Sequence, residues 1–250
     1  MALSSKWKRP GWHALGPLLT LVGVALLVLS PVGYRLGWFG VPVALLRLIP
    51  LGVGACALGL VFSLVAIVLT PAGAGSGARM LPALAAVVCL AASVVPVTGI
   101  WKARHVPRIH DITTDTELPP AFVALAPARI AAPNGLDYGG AEVAAAQRQA
   151  YPDVKSLYSR LPFDALFDRA QQAAGECGWQ LADVSCGEGR IEGVVTSMLY
   201  GFKDDIVVRV RSDVNGSRLD VRSASRVGRS DLGVNADRIR KYLQRVTGPG

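Results

Sequence analysis

Between Arg222 and Arg238 the sequence reads Arg-Ser-Ala-Ser-Arg-Val-Gly-Arg-Ser-Asp-Leu-Gly-Val-Asn-Ala-Asp-Arg, and no other stretch is so dense in groups able to hold a polar ligand. Guanidiniums at Arg222, Arg226, Arg229 and Arg238, hydroxyls at Ser223 and Ser225, the carboxylate of Asp231 and the amide of Asn235 lie where a predicted strand gives way to a predicted helix. Arginine's planar fork matches phosphate and carboxylate, and backbone amides at a helix N-terminus favour an anion. The stretch therefore suits an anionic headgroup, phosphate or carboxylate, with Arg209 on the preceding strand contributing. Three other readings stay open. Asp204, Asp205 or Asp231 can bridge the arginines in ion pairs. Asp204, Asp205, Asp231 or Ser225 can serve a hydrolase or transferase, although adjacent Asp204 and Asp205 point to opposite faces of a strand and so share no proton. The domain can also be a purely structural membrane scaffold.

A second group of candidates lies upstream, in Ile109-His-Asp-Ile-Thr-Thr-Asp-Thr-Glu-Leu-Pro-Pro-Ala-Phe122. His110, Asp111 and Asp115 are possible cation ligands. Turn-capping by Asp111, Thr114 and Asp115 is the simpler reading, because one His and two Asp on an irregular segment fix no coordination geometry. No Rossmann fingerprint, nucleophile elbow, P-loop or HExxH occurs, and no Cys/His spacing suits zinc, so no cofactor or metal is expected. Gly73, Gly75 and Gly77 make a flexible turn, and Cys177 and Cys186 stand too far apart along a strand for a disulfide. A nucleic-acid partner is not expected, since the basic part of the chain lacks interleaved aromatics.

The elements that must position these groups are readable from period and punctuation. After Pro162, Phe163, Leu166, Phe167, Ala170 and Ala174 form one helical stripe. Strands follow at Trp179 to Ser185, Arg190 to Thr196, Asp205 to Arg211 and Arg218 to Arg226, with hairpin turns at Gly187-Glu188-Gly189 and Asn215-Gly216. A closing helix from about Asn235 to Val246 carries Ile239, Tyr242, Leu243 and Val246 on its apolar face. This order predicts an α+β domain, a four-stranded antiparallel sheet with both helices on one face. A two-residue turn at Asn215-Gly216 sets Arg211 opposite Asp220 and Arg209 opposite Arg222, and the second pair repels unless an anion or carboxylate lies between. Val208, Val210, Leu219, Val221, Ser223 and Ser225 then share the helix-covered face. Residues 102–160, rich in Pro, Ala and Thr, read as an extended connector packed on the core, with a helical pattern only at Gly140 to Ala150.

The first 101 residues are of another kind. Of 250 residues 51% are hydrophobic, and mean hydropathy is +0.38. Ala14 to Pro31, Leu48 to Thr70 and Leu81 to Ile100 are uncharged apolar runs near the roughly 20 residues that a spanning helix needs. The first lacks an A-x-A-like cleavage site and reads as a retained anchor. Ala55 and Gly59 are a small-xxx-small pair, for which ordinary small membrane residues are the simpler reading. An inside N-terminus sets Lys6, Lys8, Arg9 and Arg79 inside against Arg35, Arg47, Lys102, Arg104 and Arg108 outside, which decides nothing. The cluster ahead of the first helix favours N-inside, and the C-terminal domain is then expected outside the cytoplasm. The expected division is a three-helix membrane domain at 1–101, the connector at 102–160 and the α+β domain at 161–250.

Several blocks together resemble a known family. Ile109 to Thr116 with Pro119-Pro120-Ala-Phe122, then Gln149-Ala-Tyr151-Pro152, Gly178-Trp179, Phe202-Lys-Asp204-Asp205-Ile-Val-Val-Arg209-Val and the run from Arg222 to Ile239 are similar to family 1499 of the domains of unknown function, over about residues 105–246. The resemblance implies an envelope domain, bacterial or plastid, often set behind membrane helices and with no assigned reaction, substrate or catalytic residue. The protein expected is thus a bacterial inner-membrane protein with a periplasmic domain, non-catalytic, whose partner is an anionic lipid or an envelope protein.

Overall fold

The computed structural model describes residues 11–74 and 77–248, so Lys6, Lys8, Arg9 and Gly75 lie outside the described residues. The chain divides into two compact units, Met1–Trp101 and Lys102–Gly250.

In the first unit, α1 (Leu15–Arg35) packs on a continuous helix built from α2 (Val41–Val43), a π-helical turn (Ala44–Leu48) and α3 (Ile49–Leu69). Then comes α4 (Gly77–His105). The segments Gly11–Arg35, Val41–Leu69 and Gly77–His105 are each long and apolar enough to cross a membrane. Their burial is inverted relative to a water-soluble bundle: Leu21, Val68 and Met80 face outward while Gly23, Gly52, Cys56, Gly59 and Ser63 are buried. Small residues belong at such contacts because lipid supplies no hydrophobic force between helices, and close backbone approach must do that work. A Cβ at Gly59 would stand 2.9 Å from Thr20 N, and one at Gly23 would stand 2.8 Å from Cys56 N. Gly59 of the sequence pair is therefore a contact residue, whereas half-buried Ala55 lies beside the stripe.

The second unit is α+β. Its sheet runs β1 (Asp111–Thr113), β6 (Gly216–Ser225), β5 (Lys203–Asp213), β4 (Arg190–Thr196), β3 (Gln180–Ser185), with β2 (Leu157–Ser159) also on β6. All pairings are antiparallel. The sheet has six strands, two more than expected, because the connector is no mere connector. It supplies β1 and β2, end to end along one edge of β6, and the short helices α5 (Ala126–Ile130) and α6 (Gly140–Ala150). Gln147 of α6 bonds Thr113 N–H and carbonyl through its own amide at 3.0 and 2.6 Å, completing the outer rim of β1.

The helix-covered face is as the alternation predicts. Ile206, Val208, Val210, Leu219 and Val221 meet Leu166, Phe167, Ala170 and Ala174 of α7 (Phe163–Glu176) and Ile239, Tyr242 and Val246 of α8 (Val234–Thr247). Tyr242 stacks on Trp179 at 4.5 Å and donates its hydroxyl to the Ala170 carbonyl at 2.9 Å. The opposite face is covered too, by Phe122 and Leu125 against Val207 and Ala224.

The β5–β6 register differs from the expectation. Val214 and Asn215, not Asn215 and Gly216, form the turn, and Arg209 pairs with Asp220, Arg211 with Arg218 and Val207 with Arg222. The glycine is needed for another reason. Gly216 has φ +137°, and a Cβ there would stand 2.9 Å from Arg160 Cα, so it admits β2 and leaves the turn tip to its neighbours.

Candidate functional site

The sequence candidates fall on two faces of the sheet. Strand alternation separates them, since neighbours such as Arg222 and Ser223 must point opposite ways.

On the helix face, Ser223 donates to Asn235 Oδ1 at 2.7 Å, and Asn235 Nδ2 donates to Ser225 Oγ at 3.1 Å and to the His110 carbonyl at 3.0 Å. Arg238 donates to Asn235 Oδ1, to Ser223 Oγ at 3.0 Å and to Asp204 Oδ2 at 2.7 Å. Asp231 meets no arginine among the described residues. Its carboxylate accepts the Gly233 and Asn235 amides, each at 2.9 Å, and so caps α8, while burial pushes its pKa up despite those amides. Of this loop's cations, Arg229 is exposed and makes no ion pair among the described residues.

On the other face the arginines form a mesh with carboxylates. Arg222 grips Asp111 in a two-pronged pair at 3.0 and 2.7 Å and also donates to the Leu136 carbonyl at 3.0 Å. Arg129, fully buried, donates to Asp205 at 3.1 Å and to the Ala224 carbonyl at 3.0 Å. Arg226 binds the same Asp205 at 2.8 Å. The Phe122 ring contacts two guanidiniums, its centroid 4.7 Å from that of Arg129 and 4.9 Å from that of Arg222. Burial beside this group pushes the Tyr138 phenol up to about 12. Farther along β5 and β6, Asp115 and Asp220 together hold Arg209 and Arg218 at 2.6–3.0 Å. Burial would raise the Asp115 pKa, but the Leu118 and Glu117 amides with Arg218 and Arg209 outweigh it and hold the carboxyl below its ordinary value. Thr114 Oγ1 accepts the Val221 amide at 2.9 Å. Asp111 and Asp115 thus engage different arginines, and among the described residues no group of three or more His, Cys, Asp or Glu is arranged for a metal.

Several participants escaped sequence reading. Glu192, fully buried, accepts the amides of Val123, Ala124 and Leu125 at 2.7–3.1 Å and forms an ion pair with Arg190 at 3.1 Å. Arg190 stands directly opposite Arg209, and Arg211 opposite Arg218. The like-charge juxtaposition expected for Arg209 exists, but with Arg190 rather than Arg222. Arg190, Arg209 and Arg211 line a cavity of about 280 Å³ walled by Leu118 to Ala121, Glu188 and Val207. Arg209 Nε is buried with no hydrogen-bond partner among the described residues, and Arg211, exposed, makes no ion pair there. The available signal was Arg211 two residues after Arg209, hence on the same face.

A protein-family model described as protein of unknown function (DUF1499) matches residues 111–246. No curated protein and no solved structure matches the chain.

Proposed function

The chain belongs to the DUF1499 family of proteins of unknown function, and from that premise we propose a non-catalytic, multi-pass protein of the bacterial inner membrane whose periplasmic domain binds an anionic ligand. The three apolar helices support the membrane part. The binding part rests on the cavity where Arg190, Arg209 and Arg211 converge. Cross-strand like charges destabilise a sheet. Carboxylates relieve Arg190 and Arg209, whereas Arg211 beside Arg218 has no carboxylate of its own among the described residues. A phosphate or carboxylate would supply that charge and meet Arg209 Nε. Arg222, Arg226 and Arg238 then frame the domain through Asp111, Asp205 and Asp204. The same pairings weigh against hydrolase or transferase chemistry. Asp204 and Asp205 are held by arginine, Asp231 caps a helix, and Ser225 Oγ accepts a bond from an amide, with no general base among its described partners.

Thermal unfolding of the detergent-solubilised full chain tests the site, with phosphate compared to chloride at matched ionic strength. A tenfold excess of phosphate over its Kd stabilises by about 1.4 kcal/mol, a rise in midpoint of roughly 3–6 °C. Arg211→Ala should leave the ligand-free midpoint unchanged or slightly raised, since it removes one member of a like-charge pair, and should abolish that rise. A wild-type midpoint indifferent to phosphate would sink the anion reading.

Orientation has its own check. A reporter active only outside the cytoplasm should work when fused after Gly250 and fail when fused after Pro71. The reverse pattern would place the domain in the cytoplasm.

A further inference from the structure

Three segments of the second unit converge at the sheet end where the chain enters it. Ser225 and Asp231 donate backbone bonds to His110 and Ile109 at 2.9 and 3.1 Å, and Arg226 donates to Lys203 at 3.0 Å. The entering segment, the β4–β5 loop and the β6–α8 loop therefore meet there. The β4–β5 loop is braced by its own bonds, Ser197 N–H to the Phe202 carbonyl at 2.8 Å and Phe202 N–H to Ser197 Oγ at 2.9 Å. Held in that shape, it presents Met198 at 93% exposure and Leu199 at 52%. Arg108, Lys203 and Arg229 are exposed at the same end and make no ion pair among the described residues. The nearby carboxylates are already committed, Asp204 to Arg238, Asp205 to Arg129 and Arg226, and Asp231 to α8, so these cations stand uncompensated.

We propose that this loop inserts Met198 and Leu199 into the interface of an anionic bilayer while Arg108, Lys203 and Arg229 contact lipid headgroups. An apolar tip ringed by cations is the chemistry of interfacial insertion, apolar side chains entering the acyl boundary and cations meeting phosphate. The bilayer is the occupant because the tether is short. Helix α4 ends at His105 and β1 begins at Asp111, so whatever the orientation of the two units, the intervening residues extend at most ~21 Å. The opposite end offers the contrast. Val214 is 95% exposed at the β5–β6 turn, beyond an 11-residue strand. This surface is separate from the arginine cavity, and its test does not depend on phosphate binding there.

The full chain carrying Cys177→Ala and Cys186→Ser, with either Met198→Cys or Val214→Cys labelled by a bimane, is reconstituted in phosphatidylcholine vesicles with and without phosphatidylglycerol. Both labelled positions are exposed, so the fold should tolerate them. Quenching by doxyl-labelled lipid should be at least about threefold stronger at position 198 than at 214 when phosphatidylglycerol is present, and weaker without it. Lys203→Ala with Arg229→Ala should reduce quenching toward the phosphatidylcholine level, and no reduction would overturn the headgroup contacts. Equal quenching at the two positions would overturn the insertion. Protection of position 198 from aqueous iodide without lipid quenching would mean that protein covers the loop, and would overturn it equally.

Discussion

Arg222→Ala should lower the unfolding free energy of the second unit by about 3–5 kcal/mol, the usual cost of leaving one member of a buried ion pair without its partner. The side chains of Arg222 and Asp111 are 5% and 3% exposed, so solvent screens the pair little and the mutation deserts a carboxylate that is itself buried. The loss includes the stacked Phe122 face and the bond to the Leu136 carbonyl, which together tie the 114–138 segment to the sheet. Chemical unfolding of the full chain, followed by a probe confined to the second unit, measures it. A change below about 1 kcal/mol would mean that water reaches Asp111 in the mutant and the pair is effectively a surface one.

Asp205→Ala is the second large effect, again about 3–5 kcal/mol, because Asp205 is fully buried and serves two cations, one of them wholly inaccessible Arg129. Asp204→Ala provides the internal comparison. It is the adjacent residue, but it lies on the other face and pairs with Arg238, and both side chains are 12% exposed. The expected order is therefore Asp205→Ala far more destabilising than Asp204→Ala. Equal effects would contradict the burial difference between the two faces.

These adjacent residues also mark what could be read without coordinates. Period 2 placed Asp204 and Asp205 on opposite faces correctly, and period 3.6 found the α7 and α8 stripes, because both signals are local. The strands β1 and β2 were not legible: at three residues each they show no period, and they exist only because β6 offers an edge. The β5–β6 register failed for the same kind of reason. Asn215-Gly216 has the composition of a turn, yet Gly216 answers to the approach of β2, which no local rule contains. Asp111 and Arg222 could each be flagged as chemically able, but their pairing spans 111 residues. The buried roles of Arg129 and Glu192 left no trace, since a single charge in an apolar stretch looks like any solvated residue until its cover is known.

The arrangement of β6 has a consequence for the nascent chain. It is the last strand made, and it alone bears β1, β2 and β5. Synthesis at about 5–20 residues per second leaves the 111 residues between Asp111 and Arg222 taking roughly 5–20 s to emerge. Throughout that interval Asp111 and Asp115 wait as hydrated carboxylates, and the β5 edge stands open. The unit cannot close strand by strand from its N-terminal end; it closes when β6 arrives, and whatever keeps the open β5 edge from pairing with another chain must act before then.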